Sequence, residues 1–118
     1  MATPRIRHIA LNVQNREECV EYYKKVFGMK ESYRGPNGTV YLSDGFVNLA
    51  LISATKEANG DPRAWGLHHI GFQVDSVEEV EKVANEKAQS IQIGAVAESY
   101  IHDPDGNRVD ASEHGWPI

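Results

Sequence analysis

The fold is decided by two similar stretches of the sequence, Arg7-His8-Ile9-Ala10-Leu11-Asn12-Val13 and His68-His69-Ile70-Gly71-Phe72-Gln73-Val74. From His8 and from His69, 61 positions later, both read histidine, apolar, small, apolar, amide, valine. Apolar residues at every second position are typical of a strand that buries one face. The two stretches therefore predict equivalent strands in a chain built from a duplicated unit.

The repeat continues beyond these strands, in features that start helices and turns. Asn15 and Ser76 are each followed three positions later by Glu, which is the capping-box pattern of a helix start. Apolar residues at helical spacing then predict helices over 16–27 and 77–88. Two Asp-Gly pairs, again 61 positions apart, predict equivalent turns late in each unit. These pairs are Asp44-Gly45 and Asp105-Gly106.

Each unit also carries three short strands after its helix, separated by turn-forming residues. The unit therefore reads βαβββ, and two such units predict an α+β fold with pseudo-two-fold symmetry and helices on the outside. We predict a single domain over residues 1–118. Module one is expected over about 5–53, a linker over about 54–66, and module two over about 67–113.

The composition excludes several classes of protein. Of 118 residues, 41% are hydrophobic and 25% are charged, which is ordinary for a soluble globular chain. The net charge of −5 and the scattered basic residues predict no nucleic-acid partner. The single cysteine, Cys19, allows no intrachain disulfide and fits a reducing compartment. Neither a signal sequence nor a membrane-spanning apolar run is present, so we expect a cytoplasmic protein without a membrane partner.

The first strand of each unit has two unlike faces, because side chains alternate across a strand. The apolar face is expected to pack under the helix of its own unit. The other face carries imidazoles and amides separated by Ala and Gly, whose small size leaves space for a ligand cavity. His8 and His69 recur at the same place, so we predict that they face each other as metal ligands rather than packing as ordinary half-buried histidines. Asn12 and Gln73 are expected to line this cavity, and His68 to lie on the opposite face.

Four segments carry a resemblance to the vicinal-oxygen-chelate superfamily, which includes glyoxalase I, bleomycin-resistance proteins and extradiol dioxygenases. They are Arg7–Val13, Tyr22–Gly28, His68–Asp75 and Asp103–Asp110, of which the last is the most specific. The resemblance covers nearly the whole chain. It implies that the two modules form an open, cup-shaped mixed sheet around one divalent metal ion, either Fe, Mn, Zn or Ni.

The resemblance also implies the metal ligands, which relatives place on the first and last strands of each module. These positions match His8, His69 and Asp110, where Asp110 stands in place of the usual Glu. The fourth position falls on Asn48 or on Leu49, depending on the alignment, and neither is a carboxylate. That place is therefore taken by Asn48, by water or by nothing. Two histidines and one carboxylate suit non-haem Fe(II).

The activity that the resemblance implies is metal-dependent oxygenase, lyase or isomerase chemistry. The substrate would be a small oxygen-rich molecule that chelates the metal. Tyr100 is the candidate proton donor, unless it packs as an ordinary tyrosine, and His102 shares its strand face. The alternatives are a non-catalytic protein that binds drug-like or aromatic molecules, as bleomycin-resistance relatives do, and a degenerate scaffold with neither activity. A homodimer is expected for so small a chain.

Overall fold

The computed structural model describes residues 4–56 and 60–118. Strands and helices alternate in the order that the repeat predicts. The first half comprises β1 (Arg5–Asn12), α1 (Arg16–Phe27), β2 (Lys30–Arg34), β3 (Val40–Ser43) and β4 (Asn48–Ile52). The second comprises β5 (Gly66–Gln73), α2 (Val77–Ala84), β6 (Gln89–Ile93), β7 (Val96–His102) and β8 (Arg108–Ser112).

All eight strands belong to one curled, open mixed sheet, in the order β2-β3-β4-β1-β5-β8-β7-β6. Strands β1 and β5 pair antiparallel at the centre and join the two halves. Within each half the first strand runs parallel to the last, β1 with β4 and β5 with β8. The two halves are therefore mirrored in strand order about the β1–β5 pair, and the predicted α+β cup of two βαβββ modules is confirmed.

The two helices begin and end by different means. Ser76 accepts a hydrogen bond from the Glu79 N–H, as the capping pattern predicts, whereas the side chain of Asn15 makes no cap hydrogen bond. Helix α1 ends at Gly28, in the left-handed region. Helix α2 ends at Asn85 with φ of 56°, so the predicted extension to residue 88 is wrong because asparagine tolerates this conformation and stops the helix. Over 4–56 and 60–118, no helix is long and apolar enough to cross a membrane.

The two helices also differ in how much they bury. Under α1, Val20 joins a buried cluster with residues of β3 and β4, and Ile9, Leu11 and Val13 pack against it. The prediction that the apolar face of β1 packs under its own helix is thus confirmed. In the second half, α2 has no buried residue. On the face of β5 that corresponds to the apolar face of β1, only Val74, just after the end of the strand, is buried. Packing under the helix is therefore much thinner in module two.

A second cluster lies on the face opposite the α1 cluster and contains a residue from beyond the last strand. Trp116 packs there with Ala10 and Tyr41. Gly71 makes this possible, because a Cβ at that position would lie 2.7 Å from the Trp116 ring. The space left by this small residue is therefore filled by the chain's own tryptophan and not by a ligand, which corrects part of the cavity prediction.

Candidate metal centre

Four buried side chains from both halves of the sheet meet beneath the cavity. They are His8 of β1, His69 of β5, Glu98 of β7 and Asp110 of β8, and one ligand atom from each lies within 4.8 Å of the others. The sequence predicted three of them and missed Glu98. Strand alternation is the signal that could have found it. Glu98 lies two residues from Tyr100 on β7, so both side chains share one face of the strand.

The strand registers explain why these side chains meet. Gly71 of β5 pairs with His8 on one side and with Asp110 on the other. Asp110 in turn pairs with Tyr100 of β7, two residues from Glu98. His69 pairs with Ala10, two residues from His8. Since residues two apart on a strand share a face, the four donors lie on one face across four neighbouring strands.

The donor separations fit a single metal ion. The Nε2 atoms of His8 and His69 are 3.1 Å apart, and His69 Nε2 is 3.4 Å from Asp110 Oδ2. Glu98 Oε2 is 3.8 Å from His8 Nε2. Metal–ligand bonds of ~2.0–2.2 Å place neighbouring donors about 2.8–3.6 Å apart in octahedral or tetrahedral sites. The His8–His69 and His69–Asp110 separations lie in this range, and Glu98 needs a small approach toward His8.

Asn48 decides which nitrogen of His8 is free to bind a metal. Its Nδ2 donates to the carbonyl of Pro117 at 2.7 Å, so its Oδ1 faces the Nδ1 of His8 at 2.8 Å. The oxygen can only accept, and His8 Nδ1 must therefore carry the proton, which leaves a lone pair on Nε2. Asn48 pairs with His8 in the β1–β4 register, while Leu49 packs under α1. The structure thus selects Asn48 as the cup-face residue, but as a partner of His8 rather than part of the cavity wall.

His68 lies on the same side as His69, contrary to the expectation from strand alternation. The register shifts from His69–Ala10 to Leu67–Leu11, so His68 is an extra residue at a β-bulge. The Nδ1 atoms of the two histidines are 2.6 Å apart, and both residues line the cavity. A bulge changes which face a side chain occupies, and the alternation pattern alone gave no sign of it.

Burial sets the charge of the four donors. It lowers the pKa of His8 to about 4 and also lowers the pKa of His69, which Arg108 lowers further. Both imidazoles are therefore neutral at pH 7, as a metal ligand requires. Burial and the nearby charge of Asp110 raise the pKa of Glu98 to about 8, so this carboxyl group holds a proton at neutral pH in the metal-free protein.

Arg108 and Trp116 hold the two carboxyl groups in place. Arg108 donates to both oxygens of Asp110, from Nε at 2.7 Å and from Nη2 at 3.0 Å, and its guanidinium stacks over the Tyr100 ring. Trp116 donates to Glu98 Oε2 at 2.7 Å and stacks in parallel on His8 with ring centroids 4.5 Å apart. A carboxylate has about four lone-pair positions, so Asp110 can hold Arg108 and still ligate a metal.

The other residues predicted for the cup face lie outside the cavity wall. Tyr100 donates to Gln89, its pairing partner on β6, at 2.7 Å, and His102 contacts Glu86 in the segment between α2 and β6. Asn12 donates to the carbonyls of residues 54 and 64 and so connects the two ends of the linker. Gln73 is exposed. These four predictions are corrected: each side chain has a structural partner or faces solvent.

The cavity above the donors has a volume of about 270 Å³. His8, His69 and Glu98 form part of its wall, and Asp110 lies beneath it with no exposed surface. The volume is near the lower end of small-molecule sites, which matches a ligand of one ring or a short chain.

Comparisons with known proteins agree with this architecture. A trivalent organoarsenical cleaving enzyme from Bacillus sp. (strain MD1) is 30% identical over 112 residues, which are 85% of this chain and 67% of that enzyme. Biphenyl-2,3-diol 1,2-dioxygenase 2 from Rhodococcus globerulus is 28% identical over 92% of this chain, which spans only 62% of the dioxygenase. Methylmalonyl-CoA epimerase from Streptomyces coelicolor has the same fold, with a TM-score of 0.64, 21% identity, and coverage of 92% of this chain and 97% of the epimerase.

The family model that matches this sequence spans residues 5–111, which include all four donors of the cluster. It thus covers both halves of the sheet and the strands that carry His8, His69, Glu98 and Asp110. The chain belongs to the Glyoxalase/Bleomycin resistance protein/Dioxygenase superfamily.

Proposed function

We propose that this protein is a metal-dependent enzyme that acts on a small oxygen-rich substrate. The observation that carries the proposal is the cluster of four buried donors, in which His8 presents a lone pair on Nε2 because its Nδ1–H donates to Asn48 Oδ1. Neutral imidazole nitrogens and carboxylate oxygens are donor types that bind divalent ions, and here they converge from four strands. A divalent ion would satisfy them together.

His8, His69 and Asp110 are the ligands that we propose, with Glu98 as an added donor. The first three have donor separations of 3.1 and 3.4 Å, whereas Glu98 is farther and its oxygen is held by Trp116. Two histidines and one carboxylate that leave open positions are typical of non-haem Fe(II) oxygenases. We therefore place oxygenase chemistry first and lyase or isomerase chemistry second.

The chain's own residues would prepare the substrate site in three ways. When bound, the metal acts as a Lewis acid that binds neighbouring substrate oxygens and stabilises negative charge on them. Trp116 closes one side of His8 and excludes water from it. Arg108 holds the Asp110 carboxylate in one orientation, and Glu98 can hold or release a proton at its carboxyl oxygen next to the cavity.

An oxygen-donor substrate fits the cavity better than a thiophilic one. The Bacillus relatives are named for cleaving trivalent organoarsenicals, and trivalent arsenic is a soft centre that prefers thiolate donors. The only cysteine of this chain, Cys19, packs on the helix side of the sheet with the α1 cluster. Because no thiol can reach the cavity from there, we propose a substrate bound through oxygen.

One contact favours the second candidate, a non-catalytic binding protein of the bleomycin-resistance type. Both oxygens of Asp110 are already satisfied by Arg108 without any metal. A cavity of this kind could take an aromatic ligand against Trp116 and the histidines without performing chemistry on it.

Metal content distinguishes the two candidates. The protein is purified anaerobically without chelators, and bound Fe, Mn, Zn and Ni are measured for wild type, His8→Ala, His69→Ala and the control His114→Ala, which changes an exposed histidine. The enzyme proposal expects about one ion per chain in wild type and control, and a loss in both ligand variants. Equal and negligible metal in all four proteins would reject it. If metal is present, turnover of catechols against hemithioacetals separates oxygenase from lyase chemistry.

We also propose that the protein is a cytoplasmic homodimer. Tyr22, Val26 and Phe27 are all more than half exposed on α1, and Tyr22 and Phe27 contact each other there. An exposed apolar patch of this kind is typical of a protein interface. Light scattering at micromolar concentration should give twice the chain mass for wild type and one chain mass for Phe27→Glu. A monomeric wild type would contradict the proposal.

A further inference from the structure

The cavity beside the four donors has a charge opposite to that of the whole protein. Its described wall holds three arginines and one carboxyl group, Glu98, although the chain has a net charge of −5. The arginines are Arg16, Arg63 and Arg108.

Arg16 is placed as a ligand-binding side chain would be. Its Nε is buried without a hydrogen-bond partner among the described residues, whereas Arg108 already holds Asp110. Gly38 makes room for it, because a Cβ there would lie 2.7 Å from Arg16 Nη2, and the φ of +89° also favours glycine. A buried N–H donor without an acceptor reduces stability, and an anionic ligand would remove that cost.

Arg16 lies at the end of the cavity that is distant from the donors. In the β1–β4 pair, His8 stands opposite Asn48 and Asn12 opposite Ile52, and Arg16 and Ser53 line the cavity just beyond. Four residues along a strand span roughly 13 Å. The cavity between Arg16 and the donors, with a volume of about 270 Å³, has room for a molecule with one aromatic ring.

Arg63 approaches the same space from the segment before β5. It lines the same cavity as Arg16, so the two guanidinium groups face one shared space. Guanidinium groups bind carboxylates through paired N–H donors, which gives orientation as well as charge.

We infer that the cavity binds a small organic acid, with its carboxylate on Arg16 and Arg63 and its opposite end at His8 and His69. This inference rests on the proposed function, because it names the substrate class of the same cavity. A neutral amide of equal shape offers one acceptor oxygen and no charge, so it would bind the paired N–H donors of these guanidinium groups more weakly than a carboxylate does.

Matched neutral and anionic probes test the inference on the full chain. Benzoate and benzamide have nearly the same shape, and their binding to EDTA-treated protein is measured by calorimetry. Wild type should bind benzoate at least about ten times more tightly, with a preference that weakens as salt is added. Arg16→Gln and Arg63→Gln should each remove most of the preference, and Arg16→Lys should retain part of it. Arg5→Gln, an exposed change on β1, is the control and should bind as wild type does.

The outcomes separate this inference from the proposed function. Equal affinities, a preference for benzamide, or no benzoate binding up to about 20 mM would overturn the inference. Unfolding temperatures of the variants show whether a lost preference reflects a lost fold. The same comparison with 3,4-dihydroxybenzoate and its amide is made on zinc-loaded protein. If zinc does not bind but benzoate is still preferred over benzamide, the metal proposal fails and the inference stands. If zinc binds but the acid and its amide bind equally well, only the inference is overturned.

Discussion

At the scale of single residues, the centre depends on partners that fix each donor's proton. His8 has a defined lone pair because Asn48 is itself oriented by the Pro117 carbonyl. Glu98 keeps a proton because it is buried beside Asp110. Asn48 is not one of the four donors, yet it determines which nitrogen of His8 is free to bind a metal.

Removing Asn48 should therefore weaken metal binding without removing a ligand. Asn48→Ala leaves His8 free to adopt either tautomer, and losses of about 10–100-fold in affinity are typical for such partners. Zinc titration with a competing chelator measures the change. Gln14→Ala, an exposed amide, serves as the control. Wild-type affinity in Asn48→Ala would show that the amide has no part in preparing His8.

The stability of the metal-free protein should depend on pH through Glu98. Its pKa is about 8 in the folded chain against 4.5 in the unfolded one, so between these values the folded state holds a proton that the unfolded state has lost. The stabilisation is therefore complete below about pH 4.5 and is lost as pH rises through 8, by roughly a few kcal/mol. Urea unfolding of wild type and Glu98→Gln in EDTA measures it. As pH rises from 4.5 to 8, wild type should lose unfolding free energy relative to Glu98→Gln. A difference between the two proteins that stays constant with pH would contradict the prediction.

At the scale of elements, the two halves have the same order of strands and helix along the chain, but their helices bury different amounts of surface. Helix α1 buries Val20 over β3 and β4, whereas α2 buries none of its residues. The bulge at His68 is a second departure from symmetry, since it adds a cavity-lining imidazole to β5 alone. Duplication therefore explains the order of the elements, while each half has its own contacts.

The same substitution should have unequal effects on the two helices. Val20 is 1% exposed and Val83 is 87% exposed. Val20→Ala should reduce the free energy of unfolding by about 2 kcal/mol, and Val83→Ala should change it by less than about 0.5 kcal/mol. Urea unfolding compares the two variants directly. Equal losses would mean that α2 is packed as tightly as α1.

At the scale of the whole molecule, the donors link the halves across the β1–β5 pair. His8 comes from the first half, and His69, Glu98 and Asp110 come from the second. The alternation in the repeated stretches placed His8 and His69 on one face, and the superfamily pattern added Asp110. Alternation along β7 puts Glu98 on the face of Tyr100, but whether it reaches the other donors depends on where β7 lies relative to β8.

Zinc should consequently stabilise the protein as one unit. At a free concentration 100 times Kd, binding to the folded state adds about 2.7 kcal/mol, which raises Tm by roughly 10 °C for a chain of this size. Calorimetry should show one transition that shifts upward as a whole, and no shift in His8→Ala. A shift confined to part of the transition would show that the ion stabilises only one half.

The sequence by itself determined the duplication, the order of the elements along the chain and the shared face of His8 and His69, because these follow from patterns within short segments. It also placed Asp110, through the pattern around Asp105-Gly106. Only the tertiary structure decided the rest. Arg108, Trp116 and Glu98 meet Asp110 and His8 through pairings between distant strands and through the segment after β8. Such contacts depend on register, on a bulge and on which side chain fills the space above Gly71, and none of these leaves a periodic trace in a single sequence.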